Sequence, residues 1–113
     1  MLPRKPSGRP PVYQLEFLPI ARQDLIEIVQ YITVKLKNPD VADRLAEQII
    51  EAAEDLTDFP YRNPVFSPIR PLSYEYRTAS VGNYLLFYRV VEEEQRILIS
   101  RILYNRRNLE SLL

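Results

Sequence analysis

A proline-rich segment divides the chain into two parts whose apolar residues recur at different spacings. The segment "PYRNPVFSPIRP" has prolines at positions 60, 64, 68 and 71. Proline lacks the backbone N–H that helices and central strands need, so the segment is predicted to be an extended connection. Apolar residues recur every three or four positions before it and every second position after it. The chain is therefore predicted to form helices first and most of a sheet afterwards.

Two amphipathic helices are predicted before the prolines. Pro19 suits the first turn of a helix, and the apolar face that follows contains Ala21, Leu25, Ile28, Ile32 and Leu36. Asn38 is a suitable N-cap and Pro39 a suitable first residue for a second helix. The apolar face of this helix contains Val41, Leu45, Ile49, Ala52, Leu56 and Phe59. The alternating run "VYQLEFL" predicts a strand before the first helix.

Three antiparallel strands are predicted after the prolines. The runs "SYEYRTAS" and "NYLLFYRVV" meet at Gly82-Asn83, which suits a two-residue primed turn. The acidic run "EEEQ", interpreted as a solvated turn, leads into "RILISRILY". This last strand is apolar on both faces, with Ile97, Ile99 and Leu103 on one and Leu98 and Ile102 on the other, so it is expected to be central or covered twice.

The order of these elements predicts an α+β fold. A helical hairpin packs on one face of a small, mainly antiparallel, curved sheet in the order β-α-α-β-β-β. The run "NLESLL" predicts a short C-terminal helix. A length of 113 residues fits one domain. Residues 1–11, rich in proline and cations, predict a flexible basic tail, which leaves 12–113 as the domain.

The missing residue types exclude several classes of chemistry. The chain has no Cys and no His, which excludes thiolate nucleophiles, histidine bases and the usual zinc sites. No metal or cofactor is expected, and any catalysis would use Tyr, Arg, Lys, Asp, Glu or Ser. The sequence has neither a stretch apolar enough to span a bilayer nor a signal-peptide core, so a cytoplasmic protein without membrane contact is expected.

The formal net charge of zero conceals an uneven distribution. Residues 1–11 carry +3, residues 12–60 carry four basic and ten acidic side chains, and residues 61–113 carry eight Arg and five Glu. The last part contains no lysine. Because the guanidinium group is a planar fork, these arginines suit contacts with carboxylates, phosphates and aromatic faces.

The run "VGNYLLFYRVVEEEQRILISRILYNRRNLESL" resembles the RelE/ParE superfamily of type II toxin–antitoxin toxins. Its most specific parts are "YLLFYRV" and, after an acidic turn, "ISRILYNRRN". The resemblance implies a RelE/ParE toxin-like fold and a bacterial toxin of the plasmid-stabilisation type, held inactive by a cognate antitoxin. It also implies one of two activities. A RelE-like branch cleaves mRNA on the ribosome, whereas a ParE-like branch inhibits DNA gyrase without a hydrolytic reaction of its own.

The ParE-like branch resembles this chain more closely. RelE-like nucleases carry an arginine directly after the first tyrosine of the third strand, where this chain has Leu85 after Tyr84. A net charge of zero is also unfavourable for docking on ribosomal RNA. The ParE-like features are an apolar residue at that position, a Tyr-Arg pair, an arginine within the last strand, and two arginines after it. Tyr104 and Asn105 depart from the branch, in which histidine and glycine are common there.

The resemblance implies a set of contact residues for the antitoxin or for gyrase: Arg77, Tyr88, Arg89, Arg101, Tyr104, Arg106 and Arg107. In the alternative, a metal-independent, ribosome-dependent mRNA endonuclease, the catalytic residues would be Arg77, Tyr88, Tyr104, Arg106 and Arg107. Direct DNA binding is not expected without the antitoxin. Two structural interpretations stay open: Arg101 as an ion-pair partner of Glu75, and the tyrosines as packing residues.

Overall fold

The computed structural model describes residues 12–67 and 72–105. These ranges contain β1 (Gln14–Phe17), α1 (Pro19–Gln30), α2 (Pro39–Asp55), β2 (Arg77–Val81), β3 (Tyr84–Val91) and β4 (Arg96–Tyr104). The predicted α+β fold, with a helical hairpin on a mostly antiparallel sheet, is confirmed. The predicted basic tail and C-terminal helix lie outside the described residues.

The four strands form one sheet in the order β1-β4-β3-β2. β4 is central, as its two apolar faces predict, and pairs with β3 in antiparallel orientation. β1 lies parallel to β4, with Gln14 opposite Arg96 and Phe17 opposite Ile99. The first strand of the described residues therefore completes the sheet beside the last one.

A bulge in β4 changes which of its side chains face the helices. Phe87 lies opposite Arg101 and Tyr88 opposite Ile99, so Ser100 has no partner residue on β3. The alternation shifts by one position there. As a result Ile97, Ile99 and Ile102 all enter the core, and the predicted division, with Ile102 opposite in direction to Ile97 and Ile99, is wrong.

Two turns join the antiparallel strands. Val81 pairs with Tyr84, and Gly82 between them has a φ of +55°, the positive value that a type II′ turn needs at its first central position. Between β3 and β4, Glu92–Glu94 form a 3-10 turn and Gln95 adopts a left-handed φ of +50°. Both predicted turns are therefore present.

The helical hairpin contains a π-helical turn. The helical path of α1 continues as a π-helix over Tyr31–Lys35, and Lys37 reverses the chain with a φ of +52°. The predicted cap of α2 is confirmed, since the Asn38 side chain accepts a hydrogen bond of 3.3 Å from the Val41 N–H. None of the helices in residues 12–67 and 72–105 combines the length and apolar character needed to cross a membrane.

The core lies between the helical hairpin and one face of the sheet. From the helices it includes Ala21, Ile49, Ala53 and Leu56, and from the sheet Leu86, Tyr88, Ile97, Ile99 and Ile102. The predicted apolar face of α2 is shifted at its ends: Val41 and Phe59 are 39% and 66% exposed, while Ala42 is fully buried. The opposite face of the sheet has no helix on it in the described part of the chain.

Candidate functional site

Arg101 is held by a carboxylate from α1. Its Nε and Nη2 donate to the two carboxylate oxygens of Asp24 at 2.8 and 3.0 Å. The backbone N–H of Ile102 donates to the same carboxylate at 2.9 Å. The Asp24 side chain is only 11% exposed, whereas that of Arg101 is 42% exposed. The geometry is that of a bidentate, charge-assisted pair.

The electrostatics of this pair favour the ionised form. Burial alone would raise the pKa of Asp24, but the hydrogen bonds from Arg101 and from the Ile102 N–H outweigh it and lower the pKa below its ordinary value. The hydrogen bond to Asp24 raises the pKa of Arg101. The sequence allowed Arg101 an ion-pair role, which the structure bears out with a different partner: Glu75 instead lies 3.6 Å from Arg77.

Tyr88 is a core residue. Its side chain is fully buried, and its hydroxyl donates to the carbonyl oxygen of Pro60 at 2.9 Å and accepts from the Asn63 side chain at 3.2 Å. Burial raises the pKa of Tyr88, although Asn63 and Arg77 act in the opposite direction. The structure therefore offers no surface at Tyr88 for direct contact with a partner.

Arg77 holds the proline-rich connection against the sheet. Its guanidinium donates to the carbonyl oxygen of Asn63 at 2.6 Å and lies 5.0 Å from the centre of the Tyr61 ring. Its side chain is only 17% exposed. Arg77 and Tyr88 are thus brought together through Asn63, and both are engaged by the connection that the prolines create.

Glu92 forms hydrogen bonds with two tyrosines from distant parts of the chain. Its carboxylate accepts hydrogen bonds from the hydroxyls of Tyr13 and Tyr61, at 2.7 and 2.5 Å. The hydrogen bond to Glu92 is the main cause that raises the pKa of Tyr61 to about 12. The start of the folded chain, the proline-rich connection and the acidic turn meet at this one side chain, so the interpretation of the turn as merely solvated is wrong for Glu92.

Arg89 and Tyr104 lie at different parts of the sheet. The guanidinium carbon of Arg89 is 3.6 Å from the centre of the Tyr74 ring, a cation–π contact. Tyr104 is 44% exposed and meets Tyr84 edge to face with ring centres 5.6 Å apart. Arg106 and Arg107 lie outside the described residues. The predicted set therefore does not form one cluster within the described part of the chain.

Two grooves meet at the end of β4. The helix-side groove, of about 780 Å³, is lined by α1, its π-helical turn and the strand ends, including Glu27, Tyr31, Leu36, Tyr84 and Tyr104. The open-face groove, of about 490 Å³, is on the sheet face without helices and is lined by residues that include Phe66, Leu85, Phe87, Leu103 and Tyr104. Tyr104 borders both grooves. It is more exposed than Arg101, the other predicted contact residue that lines one of them.

Sequence reasoning missed Asp24, Asn63 and Glu92. Asp24 is one of several charged residues on the polar side of α1, and no local pattern distinguishes it. Its partner Arg101 is 77 positions away. Within the ranges that the structure describes, no group of three or more acidic side chains is placed to hold a metal ion.

Comparison with known proteins identifies similar toxins. Residues 15–109 match the profile of a family described as the ParE toxin of type II toxin–antitoxin system, parDE. No curated protein gives a significant match. The toxin–antitoxin complex RelBE2 from Mycobacterium tuberculosis contains a similar chain, with 26% sequence identity and a TM-score of 0.60 over 81% of this chain and 96% of that one.

Two further solved structures share the fold. One is a chromosomal ParDE toxin–antitoxin system from P. aeruginosa, at 22% identity and a TM-score of 0.67, with 84% of this chain and 98% of that chain covered. The other is the archaeal RelE–RelB complex from Pyrococcus horikoshii OT3, at 15% identity and a TM-score of 0.57, with 85% and 98% covered. At these identities the likeness concerns the fold alone.

Proposed function

The chain belongs to the ParE toxin family of type II toxin–antitoxin systems, and from that membership we propose that it inhibits DNA gyrase by binding to it in the cytoplasm. A cognate antitoxin neutralises it by covering part of the same surface. The proposed contact surface is the end of β4, with exposed Tyr104 and the Arg106-Arg107 pair that follows in the sequence. Arg89 on the sheet face is a secondary contact.

The main observation that supports gyrase rather than RNA as the target is the burial of Tyr88. Metal-free RNA cleavage needs a group that takes a proton from the ribose 2′-hydroxyl or gives one to the leaving oxygen. The Tyr88 hydroxyl is occupied by Pro60 and Asn63, and burial raises its pKa. A tyrosine base would require the opposite shift, because its ordinary pKa is already about 10.

The cations on the described sheet also favour binding over catalysis. Arg77 is mostly buried and bonded to Asn63, and the Asp24 carboxylate neutralises the charge that Arg101 would offer to a phosphate. Leu85 lies on the open-face groove beside Phe87 and Leu103. An apolar lining of this kind suits contact with a protein better than stabilisation of the added phosphate charge in a cleavage transition state.

The deciding experiment is a supercoiling assay with purified gyrase, relaxed plasmid and the purified chain. We expect the chain to inhibit supercoiling and to leave translation in a cell-free extract unaffected, and we expect the cognate antitoxin to restore supercoiling. Unchanged supercoiling together with codon-positioned cuts in mRNA on translating ribosomes would refute the proposal in favour of the RelE-like endonuclease.

A further inference from the structure

Among the described residues, the last four of β4 have a neighbouring strand on one side only. β3 accompanies them to Tyr104, whereas β1 pairs with β4 only as far as Ile99. The last backbone bond on the β1 side runs from the Leu18 N–H to the Ile99 carbonyl oxygen at 2.9 Å. The chain then enters α1, so the segment Arg101–Tyr104 forms an edge of the sheet.

The Asp24 carboxylate occupies the position that a neighbouring strand would take at this edge. It accepts the Ile102 N–H, which points away from β3. Its two oxygens also accept the two hydrogen bonds from Arg101. Three charge-assisted bonds therefore tie α1 to the strand end, at a side chain that is only 11% exposed.

We propose that Asp24 is a positioning residue for the target-binding end of the chain. It fixes Arg101 and Ile102 from the helix side, while the Asn105 N–H donates to the Asn83 carbonyl oxygen at 2.7 Å from the β3 side. Tyr104 lies between these two attachments, and Arg106 follows directly after the second. Asp24 acts through the strand and touches no target, and the inference rests on the proposed function of that end.

The same two bonds to Asp24 fix the orientation of the Arg101 side chain. Nε and Nη2 of Arg101 are engaged by the Asp24 carboxylate, and the rest of the guanidinium keeps N–H donors on a side chain that is 42% exposed. The Arg101 side chain lines the helix-side groove next to Tyr104. It therefore shapes the wall of that groove.

Three substitutions test the inference: Asp24→Ala, Asp24→Asn and, as a matched control, Asp43→Asn on the exposed face of α2. Alanine removes all three bonds. Asparagine keeps an oxygen that can accept the Ile102 N–H but loses the charge that neutralises Arg101. The measurements are amide hydrogen exchange at Ile102 and its neighbours, thermal unfolding, and gyrase inhibition at a temperature where every variant is folded.

We expect exchange at the Ile102 amide to be about ten- to a hundredfold faster in Asp24→Ala, the factor that corresponds to the loss of a buried hydrogen-bond partner. Inhibition of gyrase should weaken in the order wild type, Asp24→Asn, Asp24→Ala. Asp43→Asn should behave as wild type in every measurement. Stronger gyrase inhibition by Asp24→Asn than by Asp24→Ala would indicate positioning. General destabilisation of the fold does not produce this difference at a temperature where all variants are folded.

Two results would overturn the inference: unchanged exchange at Ile102 in Asp24→Ala, or faster exchange with unchanged inhibition. A second measurement, growth arrest on expression at matched protein abundance, distinguishes failure of the positioning role of Asp24 from failure of the proposed function. If the wild-type chain arrests growth without inhibiting gyrase, only the target is wrong. Weaker arrest by Asp24→Ala than by Asp43→Asn then still supports the positioning role, and equal arrest overturns it.

Discussion

The hydroxyl of Tyr88 is occupied on both sides, because it donates to Pro60 and accepts from Asn63. Replacing Tyr88 by Phe keeps the ring in the core but leaves the Pro60 carbonyl without this donor. We expect the Tyr88→Phe variant to lose about 1–3 kcal/mol in the free energy of unfolding, measured by urea denaturation.

The same variant separates a structural role of Tyr88 from a catalytic one. Under the proposed function, and at a temperature where the variant is folded, we expect its inhibition of gyrase to equal that of the wild type. A variant that is stably folded but inactive would instead assign the hydroxyl a direct part in the activity, as the endonuclease alternative requires.

The arginine pair after β4 is the part of the predicted site that the sequence supports most directly. We expect Arg106→Ala combined with Arg107→Ala to weaken toxicity and gyrase inhibition about tenfold or more, the range of arginine anchors at protein interfaces. Thermal unfolding should stay as in the wild type. The matched control is Arg22→Ala with Arg44→Ala, two exposed arginines on the helices. Full toxicity of the first double variant would assign the pair to solvation.

Residue types were easier to predict than their partners. The sequence alone draws attention to Arg101 and to Leu85, because each stands within a strand pattern. It gives no means of pairing Arg101 with Asp24 instead of Glu75, since the pairing depends on where α1 crosses β4. The burial of Tyr88 likewise depends on the path of the proline-rich connection, which proline fixes as extended without fixing its direction.

At the level of elements, the spacing of apolar residues predicted the four strands and the two α-helices of the described residues, but not the π-helical turn over Tyr31–Lys35. The bulge at Ser100 has no such signal, and it changes the face of every residue after it. β2 begins only at Arg77, later than the alternation from Ser73 suggests. The preceding residues instead meet the proline-rich connection, where the Phe66 N–H donates to the Tyr76 carbonyl oxygen at 2.7 Å.

The contacts of Glu92 join three elements, and they predict an alkaline transition. The pKa of Tyr61 is raised from 10.0 to about 12. The stabilisation from its protonated hydroxyl is therefore complete below pH 10 and is lost as the pH rises towards 12. In Glu92→Gln the amide oxygen can still accept the hydrogen bond, but without the carboxylate charge this bond and the repulsion of tyrosinate are weaker, so tyrosinate should form at lower pH than in the wild type.

Ultraviolet absorbance of tyrosinate during an alkaline titration measures this effect. Glu93→Gln, at the adjacent exposed position of the same turn, is the control and should titrate as the wild type. Identical titration curves for Glu92→Gln and the wild type would contradict the hydrogen bonds described between Glu92 and the two tyrosines.

For the molecule as a whole, acid should weaken the attachment between the helical layer and the sheet. The folded state lowers the pKa of Asp24 from its ordinary value of 3.8. The resulting stabilisation is present above that ordinary value and is lost as the pH falls through the lower, folded value. We expect the melting temperature of the wild type to fall more steeply than that of Asp24→Asn below about pH 4. Parallel curves from circular dichroism would refute the contribution of Asp24.

The parallel pairing of β1 with β4 sets the order in which the molecule can be completed. Gln14 to Phe17 lie opposite Arg96 to Ile99, so β1 cannot pair until β4 has been synthesised. Until β4 has left the ribosome, β1 lacks the strand it pairs with in the described sheet and the helices lack a central strand to cover. A nascent chain of this kind cannot assume its native sheet early, since contacts between distant parts of a sequence form late. The end of β4 therefore reaches its native surroundings only after this strand itself has been synthesised and paired.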